Sequence, residues 1–354
     1  MKKVKLLILL FALFSGVVTI TSCQKEAETG SEASSNPQAD KLVPEKAKGN
    51  EVLTLTGSGL GDITSIVFEK DSVPASFNPV FNTDNAIVFR VPDTASGGAQ
   101  NIIITNRLGK QIMVPFNVVA LPTVSAVSNY NFTAGTEIKL TGNNLGDVTS
   151  VALKGTADKA TIVSQSKKEL VITMPATTAN TVQLDITNST GPATTAQVFV
   201  NMDKTFKIFT EDYGEGFSNG SWGPAEVSST VAKSGTKSFK ATYVKGNWSA
   251  DGFANWWPGV SYSADYKYLS FWVKGASKEY TLYITGDQRK GGYGNSDQTA
   301  PIVIPANEWT YFKIPLSQLE LWSQGGPFKQ LGFWIKGPDD QDETFYFDDV
   351  ILVK

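Results

Sequence analysis

The segment Leu55-Thr-Gly-Ser-Gly-Leu-Gly-Asp-Ile-Thr-Ser65 decides the fold, because the chain repeats it as Leu140-Thr-Gly-Asn-Asn-Leu-Gly-Asp-Val-Thr-Ser150. Later landmarks return at a similar spacing, Val91-Pro92 as Met174-Pro175 and Thr105-Asn106 as Thr187-Asn188. Short alternating apolar runs bounded by glycine, asparagine and proline lie between these landmarks, a pattern typical of strands in a sandwich. We therefore predict two similar β-sandwich domains, at residues 41–120 and 121–202.

The two repeated segments resemble IPT/TIG domains, which are small immunoglobulin-like sandwiches. We attribute their shared glycines, such as Gly57 and Gly142, to tight turns that demand a positive φ. Neither copy carries an aromatic cluster or a set of convergent polar groups. We therefore interpret the pair as a spacer and look for a binding site elsewhere.

The N-terminus has the features of a lipoprotein signal peptide, predicted for residues 1–22. A lysine-rich start precedes an apolar run from Leu6 to Val18, and the run ends near Cys23, the single cysteine of the chain. The residues around Cys23 resemble a bacterial lipobox, which implies lipidation of Cys23 and a membrane anchor. Residues 24–28 resemble the acidic export signal of Bacteroidetes lipoproteins, and residues 23–40 have the composition of a flexible tether.

Composition disfavours nucleic-acid binding and catalysis. The formal net charge is −3, which gives no electrostatic reason to expect nucleic acid as a partner. The chain has no histidine, and Cys23 is committed to lipidation, so the usual general base and thiol nucleophile are missing. Glycoside hydrolysis uses paired carboxylates; Glu211, Asp212 and Glu215 come closest, but they lie in a glycine-rich segment. We therefore predict that the chain is not an enzyme.

Tryptophan and tyrosine are concentrated in the last third of the chain. All eight tryptophans lie between Trp222 and Trp334, and ten of the eleven tyrosines follow residue 200. Such side chains suit surfaces that are apolar on one side and hydrogen-bonding on the other. The ligand site is therefore predicted in residues 203–354, whose alternating runs without a helix-length apolar stripe indicate a two-sheet jelly roll.

Four stretches of this last domain resemble a carbohydrate-binding module of the galactose-binding-like jelly-roll type. They are Ser234–Phe239, "LSFWVKG" at 269–275, "EWTYFKIPLSQL" at 308–319 and "FYFDDVIL" at 345–352. The whole arrangement of lipobox, two IPT/TIG units and such a module resembles the surface glycan-binding proteins of Bacteroidetes polysaccharide utilisation loci. That resemblance implies an all-β protein on the outer face of the outer membrane. It also implies capture of a polysaccharide beside a TonB-dependent transporter and its lipoprotein partner.

Aromatic planes cover the C–H face of a sugar, and polar side chains at their edges satisfy its hydroxyl groups. By strand alternation Trp334 and Tyr283 face outward, from a sheet that the resemblance makes concave, and Trp272 faces outward from the other sheet. The resemblance places Trp309 in the core, and one of the adjacent pair Trp256/Trp257 is expected to be structural. Loop aromatics with polar neighbours complete the predicted glycan-binding set, which is Trp248, Trp256, Trp257, Tyr283, Gln288, Arg289, Tyr293, Trp322 and Trp334.

Acidic residues at the two ends of the last domain resemble the structural calcium position of this module type. Glu211 and Asp212 lie near its start and Asp349 near its end. Calcium takes six to eight oxygen ligands, so backbone carbonyls would have to complete the site. The other interpretation is that these are ordinary surface acids.

The lack of excess basic residues favours a neutral polysaccharide, and the family resemblance favours a β-glucan of the laminarin-like, mixed-linkage or xyloglucan type, with xylan or mannan as further possibilities. Another hypothesis is a surface adhesin that binds a protein. A continuous apolar patch would favour that adhesin, whereas aromatic rings with polar edges favour sugar.

Overall fold

A computed structural model describes residues 32–294 and 298–354, and its regular elements are β-strands apart from a few short 3₁₀ turns. The predicted all-β class is therefore confirmed. The signal segment and the predicted lipidation site Cys23 lie outside the described residues. Among the residues that are described, no helix is long and apolar enough to cross a membrane. The chain divides into two compact units, the first ending at Val119 and the second beginning at Ala120.

The first unit is a sandwich of a three-stranded sheet, ordered β1-β3-β6, and a five-stranded sheet, ordered β2-β8-β7-β4-β5. Its strands are β1 (Gln38–Val43), β2 (Lys46–Ala47), β3 (Val52–Ser58), β4 (Ile63–Phe68), β5 (Val73–Pro74), β6 (Ala86–Arg90), β7 (Gly98–Asn106) and β8 (Gln111–Val118). The predicted tether runs to residue 40, but β1 already pairs with β3 from Gln38 onward. The folded part therefore begins earlier than the polar composition suggests.

The second sandwich opens the second unit and consists of a seven-stranded sheet, ordered β17-β16-β12-β13-β14-β11-β9, and a three-stranded sheet, ordered β10-β18-β15. Its strands are β9 (Thr123–Val127), β10 (Asn131–Phe132), β11 (Glu137–Asn143), β12 (Val148–Leu153), β13 (Lys159–Gln165), β14 (Glu169–Thr173), β15 (Thr181–Val182), β16 (Leu184–Asn188), β17 (Gly191–Thr194) and β18 (Phe199–Asn201). The repeated leucines are buried at equivalent places, Leu55 and Leu60 in the first sandwich and Leu140 and Leu145 in the second.

The repeated glycines have a different cause from the one predicted. Neither Gly57 nor Gly142 has a positive φ. A Cβ at Gly57 would lie 2.1 Å from the Gln38 carbonyl oxygen, and one at Gly142 would lie 1.8 Å from that of Thr123. The glycines are therefore required because a neighbouring strand approaches the backbone too closely for any side chain.

The last domain consists of two facing sheets. Sheet I contains β21-β22-β29-β24-β27 with β19 paired to β29, and sheet II contains β20-β23-β28-β25-β26. Their strands are β19 (Phe206–Phe209), β20 (Ser218–Asn219), β21 (Ala225–Ser228), β22 (Ser238–Tyr243), β23 (Trp248–Ala254), β24 (Tyr268–Lys274), β25 (Tyr280–Gly286), β26 (Pro301–Ile304), β27 (Trp309–Pro315), β28 (Gln330–Lys336) and β29 (Glu343–Val353). Buried aromatic and aliphatic side chains, among them Phe271, Phe333 and Phe347, fill the space between the sheets.

The outer face of sheet I packs against the second sandwich. Trp272 is buried there, and its Nε1–H donates to Asn129 Oδ1 at 3.0 Å. Val200 and Met202 form an apolar cluster with Ile351 and Val353 across the same boundary. The second sandwich thus covers the part of this face around Trp272, Ile351 and Val353.

Trp309 does not belong to the core, contrary to the expectation from the resemblance. It pairs with Lys274, whereas its neighbour Thr310 pairs with Val273, whose side chain lies in the core. Because side chains alternate along a strand, the register places Trp309 on the outer face of sheet I, where it is half-buried.

Candidate functional site

Exposed tryptophans gather along β23 of sheet II. Trp248 begins this strand, Trp256 and Trp257 follow its end, and Trp222 lies beside it because its amide donates to the Ala250 carbonyl at 2.9 Å. Each of the four indoles is more than half exposed. A seven-residue strand is about 20 Å long, so the tryptophans extend over a distance that exceeds one small ligand.

Trp334 faces outward from sheet II, as strand alternation predicts, but it is only 2% exposed. The Trp248 ring stacks on it with centroids 6.0 Å apart and planes at 24°. Tyr283, its direct partner in the β25–β28 register, lies 5.0 Å away on the other side. In this arrangement Trp334 supports the rings around it, so the expectation that it contacts a ligand directly needs correction.

Tyr293 lies in the loop after β25, as predicted, and this loop folds back across sheet II. Its hydroxyl donates to the Ala250 carbonyl at 3.3 Å, and its ring packs against Trp222 with centroids 5.7 Å apart at 79°. Gly294 has a φ of +70°, and a Cβ there would meet the Trp222 ring at 2.0 Å. The loop and Trp222 therefore fit together only because residue 294 has no side chain.

Trp222 belongs to the site although it is missing from the predicted set. Its surroundings, Asn219-Gly-Ser-Trp-Gly-Pro224, have the same glycine-, serine- and asparagine-rich composition that singled out other loop aromatics. The signal was present in the sequence. The proximity to Tyr293 was not, because it depends on pairing with β23.

Gln288 and Arg289 both form hydrogen bonds that stabilise loops of the last domain. Arg289 is buried, and its guanidinium donates to the Leu319 carbonyl at 2.6 Å and to Thr299 Oγ1 at 2.8 Å. Gln288 Oε1 accepts from the Gly326 amide at 3.2 Å. Burial and these bonds hold the Arg289 guanidinium inside the domain, so its expected contact with sugar hydroxyls needs correction, whereas the contact of Gln288 stays a prediction.

Three of the four remaining aromatics differ in position from the prediction, and Trp322 lies outside the strands as predicted. Trp248 was expected in a loop, but it is a strand residue. One of Trp256 and Trp257 was expected to be structural, yet neither lies in a strand and both are exposed. Trp322 is half-buried at the end of the domain, where Nε1–H donates to the Val260 carbonyl at 2.7 Å.

Asp251 lies in β23 between these tryptophans in sequence but points into the domain and is fully buried. Its Oδ1 accepts from the Gly223 amide at 2.7 Å and from Ser249 Oγ at 3.2 Å, so it ties the residue after Trp222 to β23. Burial raises the pKa of Asp251 to about 6. The carboxyl group is closed off from the outer face and cannot act there as an acid or base.

The acids of the predicted calcium site do not fit a bound ion as they are arranged. Glu211 accepts from the amides of Thr236 and Lys237, and Asp349 Oδ2 accepts from Asn131 Nδ2 at 3.0 Å. Asp212 Oδ1 accepts from the Tyr213 amide. N–H donors thus occupy oxygens that a cation would need. Within residues 32–294 and 298–354 no three acidic side chains form a metal-binding group. Calcium binding stays a prediction, which measurement of the metal content of the purified protein can test.

A protein-family model matches the second sandwich, and a solved structure is similar to most of the chain. The IPT/TIG domain family matches residues 122–206. No protein of curated function matches the sequence. The structure is similar to that of the surface glycan-binding protein PbSGBP-B from Prevotella bryantii. The TM-score is 0.53 at 18% identity, over 91% of this chain and 99% of that one.

A second neighbour is SGBP-B from a complex xyloglucan utilization locus in Bacteroides uniformis. Its TM-score is 0.44 at 19% identity, over 90% of this chain and 99% of that one. The TM-score exceeds one half for the Prevotella protein and falls below it for the Bacteroides protein. At 18% identity the likeness establishes a shared all-β arrangement, and the ligand has to be inferred from the site.

Proposed function

We propose that this chain is a non-catalytic glycan-binding protein of the cell surface, and that the tryptophans along β23 are its binding face. The observation that carries this proposal is a row of exposed indoles beside strand β23 of sheet II, which are Trp222, Trp248, Trp256 and Trp257. Large exposed aromatic side chains cost free energy in water unless a ligand covers them. Sugar rings present the complementary apolar face.

Two features of the face suit a polymer. The indoles are distributed along a strand, and the two at its start are backed by rings that hold them in place, Trp334 beneath Trp248 and Tyr293 beside Trp222. Rigid aromatic anchors lose little conformational entropy on binding. A chain of sugar units can therefore contact several indoles at once, and each contact adds to the affinity.

The polysaccharide is proposed to be neutral and of the β-glucan type. The formal net charge of −3 offers no attraction to an acidic polymer. We further propose that Cys23 carries the lipid that anchors the protein to the outer membrane, facing outward beside a TonB-dependent transporter. The fold shared with a surface glycan-binding protein supports this location.

The test is affinity electrophoresis and calorimetry of the full chain against laminarin, mixed-linkage β-glucan, xyloglucan, xylan and mannan. We expect retardation by at least one β-glucan and none by an acidic polysaccharide. Trp222→Ala should weaken that binding by about tenfold or more, the effect of losing about 1.4 kcal/mol or more.

Phe81→Ala is the matched control, because Phe81 is a comparably exposed aromatic residue in the first sandwich. It should leave the affinity unchanged. If no neutral polysaccharide binds and the same face instead captures a protein, the adhesin hypothesis replaces this one. Release of reducing sugar by the pure protein would show that it is an enzyme after all.

A further inference from the structure

A groove of about 930 Å³ opens at one end of the last domain, between the chain that follows β23 and the chain that follows β27. Its lining combines aromatic rings with charged and hydroxyl groups, and its main residues are Tyr262, Tyr266, Lys267, Ser317, Glu320 and Trp322. None of the four exposed tryptophans along β23 lines it. The groove is therefore a feature separate from the face described above.

The inner wall of the groove is held rigidly. Trp322 Nε1–H donates to the Val260 carbonyl at 2.7 Å, and its ring lies parallel to Tyr266 at 8° and packs 5.2 Å from Phe328. Val260 and Phe328 exchange two backbone hydrogen bonds, at 2.8 and 3.0 Å. Because these contacts fix the indole in advance, a ligand that packs on this wall does not have to order it.

Tyr262 forms a second wall. Its ring is 68% exposed and meets Trp322 at 77° with centroids 5.6 Å apart. Two rings at nearly a right angle make a corner, in which one sugar ring can place its C–H face against one wall and its edge against the other. A corner of this kind suits a chain end or a branch, whereas a row of indoles suits the middle of a chain.

The polar groups of the groove match a ligand that is uncharged and rich in hydroxyl groups. Glu320 supplies acceptors, Lys267 supplies donors and Ser317 can do both. Among the described residues of the lining, the charged groups are one carboxylate and one ammonium group, so this lining has no excess of either sign. Glu320 also has a φ of +50°, a left-handed conformation that is unfavourable for residues other than glycine. Such backbone conformations are concentrated at binding sites.

We infer that this end groove is a second carbohydrate subsite, which takes a neutral sugar unit at the end or branch of the glycan held along β23. This inference rests on the proposed function. A polymer that engages both places gains affinity by multivalency, so the subsite should matter more for a polysaccharide than for a short oligosaccharide.

The experiment is calorimetry of the full chain with laminarin, mixed-linkage β-glucan and xyloglucan, using Tyr262→Ala, Tyr262→Phe and the control Phe81→Ala. Tyr262 is suited to substitution because its ring is mostly exposed and its loss should not unfold the domain. We expect Tyr262→Ala to bind the best of the three polysaccharides about tenfold more weakly, a loss of about 1.4 kcal/mol, with an unchanged melting temperature. Tyr262→Phe keeps the ring and should retain most of the affinity.

Three results would overturn the inference. If Tyr262→Ala binds as tightly as the wild type while Trp222→Ala loses affinity, the proposed function stands and the second subsite is refuted. If Tyr262→Ala weakens binding only together with a lowered melting temperature, its role is structural. If the wild type binds none of the three polysaccharides, the proposed function fails and the subsite fails with it.

Discussion

Tyr130 of the second sandwich stacks on Tyr311 of the last domain, with ring centroids 4.6 Å apart and planes at 18°. The Tyr311 hydroxyl donates to Asn131 Oδ1 at 3.4 Å, and Asn131 in turn donates to the carboxylate of Asp349. Tyr130 is the single tyrosine of the first two hundred residues. This contact explains why the second sandwich has a tyrosine although the rest of the first two hundred residues has none: its ring packs against the last domain.

This contact predicts that the last domain depends on the second sandwich for stability. Tyr130→Ala should lower the free energy of unfolding of the 120–354 unit by about 1–2 kcal/mol, the contribution of an aromatic pair and part of its burial. The measurement is denaturant unfolding followed by tryptophan fluorescence, which reports only on the last domain because all eight tryptophans lie there.

Removal of the second sandwich tests the same dependence of the last domain more directly. Residues 203–354 alone would expose Trp272, Ile351 and Val353, which the second sandwich covers in the intact unit. This fragment should melt at a lower temperature than residues 120–354. Equal melting temperatures would mean that the interface contributes no stability and that the domains are independent.

Trp248 and Trp334 should separate binding from stability, although their rings stack on each other. Trp248→Ala removes an exposed ring, so it should weaken polysaccharide binding by about tenfold or more with little change in melting temperature. Trp334→Ala removes a ring that is 2% exposed and should cost about 3–5 kcal/mol of stability. Parallel melting and calorimetric measurements on both variants test this, and a stable Trp334→Ala protein that has lost only affinity would contradict it.

Arg289 should behave as a structural residue. Arg289→Ala leaves the Leu319 carbonyl and Thr299 without these donors, so we expect a loss of roughly 2–4 kcal/mol and a looser loop after β25. Lys290→Ala is the control, since Lys290 is the exposed neighbour on the same loop. If Arg289→Ala instead keeps its melting temperature and loses affinity, the original assignment of Arg289 to the ligand is correct.

The fold was accessible from the sequence because its signals are local. Alternation with a period of two and turn residues identify strands over stretches of five to eight residues. The site was only partly accessible, because exposure depends on which distant segment covers which face. Trp334 and Trp248 both point outward from sheet II, yet one is buried and the other exposed, because the register of β23 against β28 and β25 lets neighbouring rings cover Trp334. The buried guanidinium of Arg289 donates to the carbonyl of Leu319, which lies thirty residues later in the sequence.

Asp251 provides a prediction that depends on pH. Its side chain is fully buried, one carboxylate oxygen is held by Gly223 and Ser249, and the other has no hydrogen-bond partner among the described residues. Burial therefore favours the neutral acid and raises the pKa from 3.8 to about 6. A pKa that is higher in the folded state makes folding most favourable below about pH 4, and this stabilisation is lost as the pH rises to about 6.

A shift of about two pKa units corresponds to roughly 3 kcal/mol between these limits. Asp251→Asn keeps an acceptor for the Gly223 amide but cannot ionise, so its stability should not change over this window through residue 251. Asp348, whose pKa is raised to about 7 by burial and by Asp349, titrates in the same direction in both proteins. The measurement is therefore the difference in unfolding free energy between variant and wild type from pH 4 to pH 7. We expect this difference to move in favour of Asp251→Asn as the pH rises, and a difference that does not vary with pH would show that Asp251 ionises normally in the folded protein.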